Sequence, residues 1–514
     1  MEADLKSLEF EGIRRLLEKL CATPFGADAA RNLAPAPDLG SARRLRDAIT
    51  VARLGLESGT GPVLPDLPDI RAALRQAAPS GVALSGTALR NLWKVLLAGK
   101  ELKPHVEAHP ALLPQGPEML DGTGDLAGRI DGLLLLNGAV REDGSALLEQ
   151  LHAEMKRERE SVQQEIQAQL RRMAGARMYW TGQRLCIHLG DDRQENLRGV
   201  RRGTGPGGHG ILIEPMELVG RNNQLEKLAG RVEQENQRTL RALTDTVRER
   251  LPALQKLVDA LTWMDLAIAG AQLSIHLQGR AAELVEEPML HLEEAFHPQL
   301  WLAFSGQGGL KPKPLTVHLD AQYPILVVTG PNAGGKSVSL KTVGLLVVMA
   351  HCGLHVPVSG RAVIGRFTRI FVDMGDPQSL AFALSTFSGH VQVLKRLLGE
   401  ADGHSLILLD ELGTGTDPEE GAALAMAVLD ELASRGARGM ATTHLTPIKS
   451  FAAGHPHLRN ASMRFDYQNL EPTYELQMDV AGQSLGLVIA EKGGLPSALV
   501  EKARGYLAGL QRGP

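Results

Sequence analysis

Cysteine is nearly absent: Cys21, Cys186 and Cys352 are the only three in 514 residues. They share no metal-ligand spacing, so neither a disulfide framework nor a thiolate metal site is expected, and a reducing cytoplasm suits the chain. No uncharged apolar stretch approaches the ~18 residues that a membrane span needs, so no membrane partner is expected. The start, Met1-Glu-Ala-Asp4, is acidic and has no apolar segment of the secretory kind. A dominant charge is missing too. With a formal net charge of −4, any nucleic-acid surface must be a local patch rather than a global field. What remains is a large cytoplasmic chain, long enough for roughly three or four domains.

The most informative segment is residues 325–337, Ile-Leu-Val-Val-Thr-Gly-Pro-Asn-Ala-Gly-Gly-Lys-Ser. An apolar run of buried-strand type feeds a G-x-x-x-x-G-K-S loop (Gly330, Pro331, Asn332, Ala333, Gly334, Gly335, Lys336, Ser337), and an apolar helix pattern follows from Val338 to Ala350. In that order, backbone N–H groups of the loop and the positive end of the helix face phosphates. Lys336 reaches the β- and γ-phosphates, and Ser337 holds Mg²⁺. The cofactors expected are therefore ATP or another nucleoside triphosphate, with Mg²⁺.

Leu406-Ile-Leu-Leu409 is a second apolar strand, ending in Asp410-Glu411. A carboxylate at a strand tip can hold Mg²⁺ through water while its neighbour orients or deprotonates the attacking water. Asp410 is assigned to metal and Glu411 to water activation. Gly413-Thr-Gly-Thr-Asp417-Pro-Glu reads as a tight polar loop before a helix. Met440-Ala-Thr-Thr-His444 reads as a further strand, whose terminal His444 is placed to sense a γ-phosphate. Between these motifs lie Asp376-Pro-Gln-Ser379 and Leu384-Ser-Thr-Phe-Ser-Gly-His390. Such a hydroxyl-rich segment suits a loop that approaches phosphates from a neighbouring subunit, and spacing alone does not separate that from a capped helix start.

Together, Gly330–Ser337, Leu384-Ser-Thr-Phe387, Leu409-Asp-Glu-Leu-Gly-Thr-Gly-Thr-Asp-Pro418 and Ala441-Thr-Thr-His444 resemble the MutS ATPase family, densely over about 290–505. His297-Pro298, Asn460-Ala461 and Gly494-Leu-Pro496 fall in step with it. The resemblance implies an ABC-type ATPase in which two subunits sandwich two nucleotides, with Ser385, Thr386 and Ser388 completing the partner's site. It also supplies adenine as the base. The mismatch-reading Phe-x-Glu is absent, and about 290 residues precede the ATPase, too few for the mismatch-reading and connector domains as well. Instead Leu8-Glu-Phe10, Thr23-Pro-Phe-Gly26, Gly210-Ile-Leu-Ile-Glu-Pro215 and Asn222-Asn223 resemble the type-two branch, associated with branched DNA and restraint of recombination. Members of that branch usually carry a small MutS-related nuclease domain after the ATPase. The present sequence stops at Pro514, and the resemblance does not license a nuclease activity for it. Smaller departures are Asp376-Pro377, where the family prefers an acidic pair, and Phe296, where an Arg before His-Pro is usual.

Upstream, Leu148, Leu151, Met155, Val162, Ile166, Leu170 and Met173 recur at helical steps, and a second such series runs from Leu225 to Leu261. Pro252 should kink the second helix or mark a joint. About forty residues separate the two, the layout of an antiparallel hairpin with a small tip. There, Arg171, Arg172, Arg177, Arg184, Arg193, Arg198, Arg201 and Arg202 stand against three acids, with Tyr179 and Trp180 among them. The arginines can meet phosphates and the aromatics can stack on bases, or they can form a solvated cluster and a small tip core. The resemblance, which puts a DNA clamp here, favours contact. Arg184–Leu189 and Gly210–Ile213 read as strands joined through the glycine-rich 203–210 turn.

The expected architecture is multidomain α plus α/β: a helical core (1–145), lever helices with a clamp tip (146–265, tip 176–212) and an ABC-type P-loop ATPase domain with a C-terminal helical dimerisation segment (266–514). The expected function is a homodimeric, ATP-hydrolysing clamp on branched or double-stranded DNA. A ribosome- or rRNA-binding ATPase acting on stalled ribosomes is the alternative. The intact Lys336, Ser337, Asp410 and Glu411 set argues against a scaffold without activity.

Overall fold

The computed structural model describes all residues except 1, 122, 172, 174, 191–196, 306–311, 331–333, 375–385, 467–470, 481–486, 488–489, 492–493 and 512–514. It leaves out, in addition, the side chains of 2–4, 168–169, 305, 386–388, 471–472 and 508–511. Contacts divide the chain into two compact units. One comprises Met1–Leu64, Pro104–Pro117 and Ala260–Pro514, the other Pro65–Lys103 and Glu118–Asp259.

The second unit contains the two long helices, Ala146–Leu170 and Met216–Glu249. Leu148 and Leu151 near the start of the first pack with Leu228 and Val232 of the second. Val162 and Ile166 farther along meet Leu218 and Leu225. Early positions thus pair with late ones, so the helices run antiparallel. At ~1.5 Å per residue the second is about 50 Å long. It ends at Glu249, and a new helix, Leu251–Leu277, starts with Pro252 in its first turn. That is the joint expected from proline, which lacks the N–H an interior helical position must donate.

Between the long helices lies an antiparallel sheet of β1 (Arg177–Thr181), β2 (Arg184–Leu189), β3 (Gly199–Thr204) and β4 (Ile211–Pro215), in the order β1-β2-β4-β3. Leu185, Ile187 and Leu189 alternate along β2 and close a core with Val162, Ile166 and Leu225, the period-two pattern of a half-buried strand. One detail differs from the sequence reading: the glycine-rich turn joins β3 to β4, not β2 to β4. β3 is almost entirely exposed and so has no apolar alternation to reveal it.

In the first unit, β8 (Ile325–Thr329), β10 (Arg369–Asp373), β11 (Ser405–Leu409), β12 (Arg438–Thr442) and β13 (Leu458–Asp466) form a parallel sheet, and β14 (Glu471–Met478) adds an antiparallel edge. The order is β10-β11-β12-β8-β13-β14. β8, β11 and β12 are buried along their whole length, which explains their continuous rather than alternating hydrophobicity. A second sheet contains β5 (Glu283–Val285), β6 (Leu290–Ala295), β7 (Leu315–Leu319) and β9 (Ala362–Gly365), in the order β5-β9-β6-β7.

The first 64 residues belong to this unit, where a helical core over 1–145 was expected as a domain of its own. Their anchors are specific. A Cβ on Gly344 would stand 2.4 Å from Leu8, and Glu9 pairs with Lys341 at 2.6 Å. The buried Asp265 carboxylate accepts the N–H groups of Ala22 and Thr23, each at 2.9 Å, and the Thr23 hydroxyl at 2.5 Å. Thr23 Oγ1 in turn caps the Pro24–Arg31 helix by accepting from Gly26 N–H.

His355 is buried in the same unit, with Nε2 against Thr50 Oγ1 at 2.9 Å and Nδ1 against Ser274 Oγ at 2.7 Å. Burial pushes its pKa down to about 4. The folded state therefore binds fewer protons than the unfolded chain between about pH 6.5 and 4, and stability present above 6.5 is lost as pH falls through that window. The linkage amounts to ~3 kcal/mol at most. Melting temperatures of the wild type should fall from pH 7 to pH 5 with a steeper slope than those of His355→Gln. Equal slopes would refute the assignment.

Candidate active site

The motifs, scattered over more than a hundred residues, meet at one edge of the parallel sheet. β8 ends at Thr329 before Gly330, β12 at Thr442, β11 at Leu409 before Asp410, and β10 at Asp373. β12 lies between β8 and β11, so the phosphate loop and the acidic pair are about 10 Å apart at a strand spacing near 4.8 Å. The carboxyl edge of such a sheet is where α/β folds bind ligands.

The loop's glycines are required by space and backbone alike. Gly330 has φ +132°, and a Cβ there would stand 3.2 Å from Met463. Gly335 has φ +92°, and a Cβ there would stand 3.0 Å from the Tyr474 ring. Gly335 also N-caps the Lys336–His351 helix. Lys336 is buried and donates from Nζ to the Gly330 carbonyl at 2.7 Å. Burial lowers its pKa, and the nearby Asp410 and Glu411 carboxylates act in the opposite direction. A buried cation beside two carboxylates and a helix N-terminus is a donor set that fits a triphosphate with its Mg²⁺. Ser337 is exposed in the first turn of that helix. Pro331, Asn332 and Ala333 lie outside the described residues, as does Ser385. Thr386 and Ser388 belong to the Thr386–Glu400 helix, with side chains outside the description.

Thr442 organises the acidic pair. Its hydroxyl donates to Asp410 Oδ1 and accepts the Glu411 N–H at 2.8 Å. Its carbonyl accepts Leu412 N–H at 2.9 Å, and Asp410 N–H donates to the Asp373 carbonyl at 2.8 Å. The turn is thus held from both flanking strands. Glu411 takes φ +50°, a left-handed conformation uncommon outside glycine and often found at functional sites. Asp417 has a structural role, capping the Pro418–Ser434 helix by accepting from Glu419 and Glu420 N–H. His444 is exposed and two residues past the end of β12, because the backbone turns at Thr443, whose hydroxyl accepts Leu445 N–H.

Three features were not singled out from the sequence. Thr442 is the first, although its place in Ala-Thr-Thr-His at a strand end was a signal. Tyr474, half exposed against the phosphate loop, is the second. The third is His390, bonded through Nδ1 to Asp373 Oδ2 at 2.7 Å. That carboxylate raises the histidine's pKa and ties the start of its helix to the strand tip beside Asp410.

The basic tip is divided by the structure. Glu214 is fully buried and accepts from Arg184 at 2.7 Å, Arg202 at 2.6 Å and Asn222 Nδ2 at 2.8 Å. Arg184 also binds Glu226 and Asn223. Arg184 is thereby held toward the tip's interior, while Arg202, also bonded to Glu214, stays exposed on β3. Trp180 packs against the apolar core, with the Arg159 guanidinium 5.3 Å over its ring. Arg171, Arg177, Tyr179, Arg198 and Arg201 are exposed. Arg177 and Arg201 stand on opposite edge strands, β1 and β3, while Arg172 and Arg193 fall outside the described residues.

Residues 326–511 match the family model described as MutS domain V. Over 515 residues the chain is 35% identical to a protein named Endonuclease MutS2 from Symbiobacterium thermophilum, covering 98% of this chain and 64% of that one. A protein of the same name from Thermus thermophilus is 35% identical over 508 residues, covering 98% and 66%. Another from Thermomicrobium roseum is 36% identical over 533 residues, covering 98% and 65%. The chain thus spans slightly less than two thirds of the length of these relatives.

Proposed function

Because the chain belongs to the MutS family, in its type-two branch, we propose that it is a homodimeric, DNA-binding ATPase that clamps branched DNA under the control of its nucleotide state. The observation that carries this reading is the assembly of the Gly330–Ser337 loop, Asp410, Glu411 and Thr442 at one sheet edge.

In this reading the loop N–H groups and Lys336 hold the triphosphate, and Ser337 and Asp410 hold Mg²⁺. Bound there, the metal would neutralise charge on the phosphate oxygens. Thr442 fixes the Asp410 carboxylate and the Glu411 backbone. Glu411 then orients the attacking water and takes its proton, and His444 senses the γ-phosphate. Ser385, Thr386 and Ser388 are assigned to the partner's nucleotide. The exposed Arg171, Arg177, Arg198 and Arg201 with Tyr179, and Arg172 beside them in sequence, are assigned to DNA phosphates and bases. The relatives' name speaks of an endonuclease, and the reading for this chain is confined to nucleotide-driven clamping.

ATP turnover measured with four-way DNA, linear duplex or purified ribosomes tests the reading. Junctions should raise the rate severalfold, duplex less, and DNA affinity should change with nucleotide. DNA-independent turnover together with nucleotide-independent DNA affinity would overturn it. Selective stimulation by ribosomes would transfer the protein to translation, a role to which the comparisons lend no support.

A further inference from the structure

Away from the nucleotide site, β6 and β7 place two histidines directly opposite one another, His291 against His318. Their Nδ1 atoms are 2.9 Å apart, with the rings nearly perpendicular at 78°. Each Nε2 is bound to a carboxylate on its own strand or just beyond it: His291 to Glu293 Oε1 and His318 to Asp320 Oδ2, both at 2.8 Å. The carboxylates are themselves anchored as acceptors. Glu293 Oε2 takes the Arg361 N–H at 2.9 Å, and Asp320 Oδ1 takes the N–H groups of Gln322 and Tyr323, each at 2.8 Å.

Counting protons in this row of four gives an unequal sum. Three hydrogen bonds join Glu293, His291, His318 and Asp320, and ionised carboxylates contribute no protons. Two neutral imidazoles carry two, and the carboxylates claim both at Nε2. The Nδ1 lone pairs are then left facing each other, which is repulsive unless both share a positive species, either a proton on the line between them or a metal ion to one side of it, where bonds of ~2.0–2.1 Å can reach both nitrogens.

We infer that His291 and His318 form a binding site for a transition-metal dication of the Zn²⁺ type, with both Nδ1 atoms as ligands. Adjacent imidazole nitrogens on a metal at ~2.0–2.1 Å stand about 2.9–3.4 Å apart, which includes the spacing found. The carboxylate behind each imidazole accepts its Nε2–H and so fixes the tautomer in which Nδ1 can ligate. The histidine side chains are 27% and 35% exposed, so water can reach the remaining coordination positions. Among the described residues no group of three or more His, Cys, Asp or Glu could hold a metal ion, and Glu293 and Asp320 are engaged at the Nε2 atoms, so the pair is an open, two-ligand site. Binding exchanges the shared proton for the metal: the imidazolium–imidazole pair plus M²⁺ gives the bis-imidazole complex plus H⁺.

The test is calorimetric titration of the EDTA-treated full chain with ZnCl₂, without nucleotide. Wild type should bind one equivalent more than His291→Ala or His318→Ala, and release protons in proportion to buffer ionisation. An Asp410→Asn variant separates this equivalent from any binding at the nucleotide site and should retain it. Should either alanine variant fold poorly, Cu²⁺ electron paramagnetic resonance on the wild type gives the same decision, with coupling to two imidazole nitrogens expected. Equal stoichiometry in wild type and both histidine variants, or a copper spectrum without two-nitrogen coupling, overturns the assignment.

Discussion

Replacing Glu411 with glutamine lowers single-turnover ATP hydrolysis by about two to four orders of magnitude, the range over which a positioned general base acts, while ATP affinity stays within about twofold. Glutamine keeps the length of the side chain and its backbone requirement at φ +50°, and the Glu411 N–H keeps its bond to Thr442. What is removed is the carboxylate, with its capacity to accept a proton and its charge near Lys336. Lys336→Ala should behave differently. It deletes a buried cation next to the loop carbonyl of Gly330, so ATP binding itself should fail. Equilibrium binding of a slowly hydrolysed ATP analogue, measured beside rapid-quench turnover, separates the two. Wild-type turnover by Glu411→Gln would move the role of base to another group, with His444 the first candidate.

Both residues were legible because each stands in a short linear motif whose neighbours supply the context. Val327, Val328 and Thr329 lead into the loop, and Leu408 and Leu409 lead into Asp410. What tied them together was not legible. Thr442 bonds to residues 31 and 32 positions earlier, and this depends on β12 inserting between β11 and β8, an order that chain succession does not give. The Asp373–His390 bond joins the tip of β10 to the Thr386–Glu400 helix across 17 residues, a fold-back that no linear motif spells out. For the same reason, the helical core expected over 1–145 did not reveal that its first 64 residues belong with the nucleotide-site unit. Hydrophobic period identifies a face that will be buried, and the surface that buries it is encoded elsewhere in the chain.

Charge counting has a corresponding blind spot, and it sets the largest expected stability effect. Eight arginines against three acids over residues 171–202 looked like a basic surface, but the decisive acid, Glu214, lies twelve residues beyond that window. Burial alone would raise its pKa. The hydrogen bonds from Asn222, Arg202 and Arg184 outweigh burial and hold it below the ordinary carboxylate value. Glu214→Ala would leave Arg184, 15% exposed, without its buried partner, and would remove one bond of Asn222, which also clasps both the N–H and the carbonyl of Leu185. Removing one member of a buried ion pair costs about 3–5 kcal/mol. Because Arg184 retains Glu226 and Arg202 is one-third exposed, a loss of about 2–4 kcal/mol is expected here. Arg201→Ala, on the exposed β3, should change stability by less than about 0.5 kcal/mol. If the proposed clamp holds DNA, that variant should instead reduce the salt dependence of affinity by about one phosphate contact. Urea unfolding of the two variants and DNA titrations at several salt concentrations therefore divide the arginine cluster into its two kinds. A Glu214→Ala protein as stable as wild type would show that the buried network contributes nothing to holding β2, β4 and the Met216–Glu249 helix together.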